Sequence, residues 1–456
     1  MIKYLKSSCL SVCALILSQC ALTPSVPPPS TSVPKQWSRF ENLPLNPENN
    51  WPYIAWWQKF QDPTLNQLME QGLRANTSIK QADAHLEQAR GQLKSVELSW
   101  LPSVSGYAGY SSNPALGSPL GFYGIWPQYM LFNIFSTISL QQSAKLEVAL
   151  KQKAIEATRL VLIGQIANSY YTYIAQLNHL HLMDIYLHDL NEVLTIQEAL
   201  YQGGIGNMIQ VDDLTARLHA AQSQQRTIKN NIVKSENALR YLLVKNPGHI
   251  KNATNFADVN TSYPNVGTLP ATVLSNRPDV AIAELQYRLA VQKKVQAYTP
   301  LLPNVQLDYF QGNTYVGNPN TLGEPSDIKE AYAAWIINPA VFGQIDAYNA
   351  AQKAAYYAYI DVVKKALRDV DNNLEQHQIA NERYALSYSA YQATAEQYHL
   401  TWNLYKTGII SYQKTLQDKL ALDQAAIEVN QMKLLQMITL VNLYQNLAGG
   451  AGYRAS

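Results

Sequence analysis

The chain has 456 residues, and its 35 basic and 33 acidic side chains give a formal net charge of +2, which leaves no electrostatic case for nucleic-acid binding. Charged residues make up only 15% of it, against about 25% in an ordinary soluble domain. Thirty tyrosines against eight phenylalanines favour boundaries where an apolar ring meets water.

In chain order, Lys3 and Lys6 precede an apolar run from Leu10 to Leu17, and Leu17-Ser18-Gln19-Cys20 follows. This reads as an export signal over residues 1–19, too short to span a bilayer. The arrangement resembles a bacterial lipobox, which implies acylation of Cys20 as the first mature residue. Cys9 and Cys13 leave with the signal, so one cysteine remains and no internal disulfide forms. Residues 20–55, with Pro24 and Pro27-Pro28-Pro29, form an extended tether.

The rest is one unit used twice. At an offset of 201, Ile79 falls on Val280, Ala82 on Ala283, Ala89 on Ala290 and Pro102 on Pro303; at 204, Tyr201 falls on Tyr405, Gly204 on Gly408, Ile205 on Ile409 and Leu239 on Leu443. The first repeat covers residues 56–250 and the second 275–450, with an inter-repeat linker at 251–274 and a tail at 451–456. Asp62-Pro63 and Arg277-Pro278-Asp279 open helices, with Asp62 as N-cap. After Pro102 and Pro303 the period changes, and residues about 103–135 and 304–342 each predict two strands around a turn-rich loop. Helical-barrel parts follow at about 140–246 and 345–448, where proline is nearly absent. In the return helices, Val211, Leu214, Leu218, Ala221 and Gln225, and again Leu416, Leu420, Asp423, Ile427 and Asn430, trace a coiled-coil seam with polar interruptions.

Beyond the signal, no apolar run of eighteen or more residues exists, so any membrane passage uses strands. Four strands cannot close a barrel, and open edges in lipid leave backbone groups unsatisfied. Three copies would supply twelve strands, within the even-numbered range that starts at about eight. The fold class expected is mainly α with a membrane β-barrel part, a duplicated helix, strand pair, long helix, long helix unit assembled into a trimeric α/β-barrel channel.

Trp56-Trp57-Gln58-Lys59-Phe60-Gln61-Asp62-Pro63-Thr64-Leu65-Asn66, Asn276-Arg277-Pro278-Asp279-Val280, Leu301-Leu302-Pro303, Tyr405-Lys406-Thr407-Gly408 and Val441-Asn442-Leu443-Tyr444 with Gly449-Gly450 resemble the TolC-like outer-membrane efflux proteins, in their OprM or NodT-like lipoprotein branch. The resemblance implies a homotrimeric passive conduit in the outer membrane, in contact with its lipid, that docks a periplasmic adaptor and an inner-membrane transporter. Gln413 and Gln417 stand where relatives often carry Leu and Asp, so a carboxylate ring is not carried over. A periplasmic coiled-coil scaffold or adaptor is the alternative.

Gly204, Ile205 and Gly206, with Gly408, Ile409 and Ile410, are expected at the periplasmic tips, as adaptor contacts or as plain hairpin turns. Asp212, Asp213, Gln413, Gln417 and Asp418 are the candidate gate, against a plain role for acidic groups near helix N-termini. Trp100, Tyr107, Tyr110, Tyr123, Trp126, Tyr309, Tyr315, Tyr332 and Trp335 are candidates for interfacial girdles, unsorted by face. His179 and His181 fall on different helix faces, so with His188 they are not read as a metal set. No catalytic or cofactor-binding motif stands out, and an enzyme is not expected.

Overall fold

In a computed structural model of the protein, the described residues are 55–111, 120–130, 134–251, 254–260, 270–302, 304–316, 324–334 and 338–448, with Tyr453 and a few positions before residue 38. The signal, Cys20, most of the tether, the loops at Asn113 and Asn318, Trp335 and Gly449-Gly450 lie outside them. Among them no helix is long and apolar enough to cross a membrane. The chain divides into two compact units.

One unit includes Gln92–Glu147 and Ala283–Ile360 and holds the sheet. Strands β1 (Ser103–Ser111), β2 (Leu120–Met130), β3 (Asn304–Val316) and β4 (Glu324–Ala334) are antiparallel in the order β1-β2-β3-β4, so β1 and β4 are its edges. The two repeats meet where β2 pairs with β3, Tyr123 opposite Asn313 and Gln128 opposite Asp308. Alternation sorts the side chains that composition left ambiguous. One face carries Tyr107, Phe122, Trp126 and Phe310 beside the polar pair Gln306 and Asp308; Trp126 meets Tyr107 at 5.3 Å and Phe310 at 5.9 Å between ring centroids. On that face Gly124 lies opposite Gly312, and the Phe310 ring covers both so closely that a Cβ at either would sit within 2.9 Å of it. The other face exposes Val104, Tyr110, Tyr123, Ile125 and Leu307, with Tyr309 half-buried beside them.

The second unit includes Val33–Gly91, Val148–Ile282 and Asp361–Ser456. Helix α1 (Pro63–Ala75) begins where Asp62 Oδ1 accepts from the Thr64 and Leu65 amides at 2.9 and 3.1 Å, with Pro63 at the first position. Along the chain as a whole follow α2 (Thr77–Leu98), α3 (Ile134–Gln202), α4 (Met208–Leu242), α5 (Pro270–Asn276), α6 (Pro278–Tyr298), α7 (Ala340–Lys406) and α8 (Tyr412–Asn446), of which α6 from Ala283 on, the end of α2 and the first stretches of α3 and α7 belong to the unit that holds the sheet. α3 and α7 start somewhat before the point where helical periodicity becomes plain, because Ile134, Phe135, Ile138, Val341 and Phe342 suit strand and helix alike.

Polar bonds set the order of the long helices in this unit. Gln197 with Gln210, Asp184 with Gln225 and Tyr173 with Glu236 join α3 to α4. Gln413 with Gln197, Gln424 with Tyr186, Asn178 with Asn430 and Asn168 with Asn442 join α3 to α8. Gln397 with Asp418, Gln436 with Asn381 and His377 with Thr439 join α8 to α7. In every set one partner's number rises as the other's falls, which is antiparallel pairing, and the row reads α4, α3, α8, α7. Its flanking helices expose apolar side chains. On α7, Ile379, Leu386 and Leu400 recur in sevens with Ala393 between them, and α4 shows Ile209, Val233 and Tyr241.

An aromatic core sits near the start of α1: Trp56 stacks on Tyr444 at 4.8 Å, and Phe60 meets Tyr171 at 5.5 Å. Three buried ionisable residues from three elements hold the segment between the repeats. Asp62 takes the hydroxyls of Thr254 (3.0 Å) and Tyr170 (2.6 Å), Glu236 takes the Ile250 amide (3.2 Å), and Lys433 donates to the Ala257 carbonyl (2.6 Å). Burial, opposed in part by Asp258, pulls the Lys433 ammonium down to about 8. Burial and the neighbouring carboxylates push the Tyr170 and Tyr173 hydroxyls well above their ordinary value.

Candidate functional site

The two helix hairpins turn by the same device. Gly204 and Gly408 adopt φ of 75° and 77°, the left-handed region where a side chain is strained. The Ile205 and Gly206 amides donate to the Leu200 carbonyl at 3.0 and 2.8 Å, and the Ile409 amide donates to Leu404 at 2.9 Å, so the last carbonyls of α3 and α7 are satisfied. Asn207 then caps α4 through the Ile209 amide (2.9 Å), and Ser411 caps α8 through the Lys414 amide (3.2 Å). Ile205 is 84% exposed and Ile409 69%, with Ile209 beside the first turn equally open, while Ile410 is half-buried.

Just past the turns, α3 and α8 are tied by a polar seam. The Tyr412 hydroxyl donates to Glu192 at 2.6 Å, and that bond, with burial next, pushes the phenol up to about 12. Gln413 donates to Gln197 (2.7 Å), which is 1% exposed and itself donates to Gln210 (2.7 Å), so one amide chain links α8, α3 and α4. One turn further in, Lys419 bridges Asp189, at 3.0 Å, and Asp423. Burial opposes the Lys419 charge, yet Asp423 and Asp189 outweigh it and hold the ammonium above its ordinary value. Burial likewise lifts the Asp423 carboxyl to about 6 against the pull of Lys419.

The candidate gate residues do not converge within one chain. Gln413 lies in the amide chain, and Asp418 is buried, taking Lys414 at 2.5 Å and Gln397 at 3.1 Å. Asp212, Asp213 and Gln417 are exposed, with Asp213 paired to Arg217 at 2.9 Å. Sequence reasoning missed Asp189, Glu192 and Lys419. The only hint was that Asp423 and Asn430 interrupt the apolar seam of α8, where a polar residue calls for a partner on a facing helix.

The segment 68–244 matches the model of the outer membrane efflux protein family. The toluene efflux pump outer membrane protein TtgC of Pseudomonas putida is 25% identical over 472 aligned residues, covering 97% of this chain and 95% of the relative. Among solved structures, the outer-membrane channel OprN has a TM-score of 0.78 at 21% identity, covering 94% of this chain and 98% of that one. The CmeC outer membrane channel of Campylobacter jejuni has a TM-score of 0.79 at 19% identity, covering 94% and 95%.

Proposed function

We infer that this chain, an outer membrane efflux protein of the TolC-like kind by sequence and fold, works as the passive exit duct of a tripartite efflux system. The observation that carries the reading is incompleteness. The sheet ends at β1 and β4, and the helix row ends at α4 and α7, whose faces still present Leu386, Leu400, Val233 and Tyr241 to water. An open sheet edge in lipid leaves each backbone group unpaired at several kcal/mol. Copies of the chain remove both edges at once: β4 of one pairs with β1 of the next, and α7 packs beside the neighbour's α4. Three copies supply twelve strands and a closed ring of helices.

In this assembly the face bearing Val104, Tyr110, Tyr123, Ile125 and Leu307 meets lipid, and the face with Asp308 and Gln306 meets the lumen. Tyr110, Tyr123 and Tyr309 are then the girdle aromatics, while Tyr107 and Trp126 pack inside. The tips at Gly204, Ile205, Gly206, Gly408, Ile409 and Ile410 receive a periplasmic adaptor fed by an inner-membrane transporter. In this reading exposed Asp212, Asp213 and Gln417 meet their copies at the closing end, whereas Asp418 and Gln413 hold the hairpins together. Cys20 anchors the mature chain by acylation. The duct performs no chemistry, and flow follows the energised partner.

The test is electrical. Purified protein in planar bilayers conducts, weakly while the tips are closed, and cross-linking traps three chains. Heat-stable trimers that never conduct would sink the proposal.

A further inference from the structure

Along α3, His188 and Glu192 stand four residues apart on one helix face, with Asp189 beside them. One donor atom from each of the three lies within 4.8 Å of the other two. His188 is exposed and Glu192 half-buried, so the group opens to solvent on one side. Asp189 closes the other side. It is 9% exposed, and its Oδ2 is ion-paired to Lys419 Nζ at 3.0 Å. The same ammonium also serves Asp423, itself buried. Asp189 and Asp423 therefore share a single lysine, with the Glu192 carboxylate one turn away along α3, so the carboxylates here outnumber the one ammonium that pairs with them. Buried carboxylates of this kind call for a proton or a cation.

We propose that His188, Asp189 and Glu192 form a binding site for a divalent first-row transition cation on the side of α3, next to its seam with α8. One imidazole and two carboxylates are a borderline donor set that suits zinc, cobalt or nickel better than calcium, which takes six to eight oxygens. Three protein ligands leave a coordination position for water. The Tyr412 hydroxyl, 2.6 Å from Glu192 Oε1, is the outer-shell donor that orients this carboxylate from α8. Lys419 is the built-in competitor, because a cation that draws Asp189 leaves the ammonium to Asp423 alone. The site is independent of whether the channel conducts.

The experiment is calorimetric titration of the purified full-length protein in detergent with zinc chloride alone, and separately with calcium chloride. One zinc per chain is expected, with affinity falling by about tenfold or more in His188→Ala and in Glu192→Gln, since even outer-shell partners are worth that much. Lys419→Gln should bind zinc more tightly, and Asp213→Asn should bind as the wild type does. Cobalt substituted for zinc reports the coordination geometry by its visible absorption, and circular dichroism checks that each variant is folded. No saturable zinc uptake by the wild type, uptake unchanged in folded His188→Ala and Glu192→Gln, or calcium binding as tight as zinc would each overturn the proposal.

Discussion

Leu386→Glu on α7 puts a charge where the proposed ring of chains closes. Within one chain Leu386 is 72% exposed, and Ile379 and Leu400, seven residues before and fourteen after, are 46% and 55% exposed. Burying a whole leucine side chain is worth about 1.5–3 kcal/mol, so covering the part left open corresponds to about 1–2 kcal/mol for each chain. Glutamate loses that gain and adds the desolvation of a carboxylate. A ring of three suffers the loss three times. Native mass spectrometry in detergent, against protein concentration, should show the variant dissociating to single chains where the wild type stays assembled, and bilayer conductance should fall with it. Leu386→Gln should be intermediate. A variant that assembles and conducts as well as the wild type would show that this face does not meet a neighbouring chain.

Three further outcomes follow from the seams. Tyr412→Phe removes the bond to Glu192, a charge-assisted contact worth about 1.5–3 kcal/mol, and single-channel recording should show more frequent opening; an unchanged open probability rejects a role in closure. Lys433, held near 8 instead of 10.5 by burial, is charged in both folded and unfolded chains at neutral pH and neutral only in the folded chain between about 8 and 10.5. Stability therefore rises with pH across that window, and thermal melts of Lys433→Met should lack this rise. His377, lowered by burial to about 4 and set between Thr439 and Asn381, stays neutral in the folded chain while the unfolded chain takes up a proton below about 6.5. Its contribution is present above 6.5 and is lost as pH falls toward 4, so His377→Gln should melt with a shallower acid dependence.

The architecture is legible in the sequence because glycine and proline punctuate it: Pro63, Pro102 and Pro278 mark changes of element, and Gly204 and Gly408 mark reversals that backbone sterics reserve for glycine. The faces of the sheet are not legible. Aromatic residues occupy both sides, so Tyr107 and Tyr110 look alike until the pairing of Ser105 with Trp126 and of Ala108 with Tyr123 fixes the register. Tyrosine abundance also points only partly to the membrane. Tyr384, Tyr388, Tyr391, Tyr398 and Tyr405 line α7, the first three in successive ring contact and the last two joined through Trp402, and helix seams use the same amphipathic ring. The seam at Asp189, Glu192, Tyr412 and Lys419 escapes because its partners stand more than two hundred residues apart, and charge pairing over that distance leaves no local pattern.

The most direct measurement is an end-on image of single particles of the full-length protein in lipid nanodiscs. Three chains around one continuous lumen, with β1 and β4 of neighbours paired, is the result this account requires. A particle made of one chain, or a bundle filled to its axis, would contradict it.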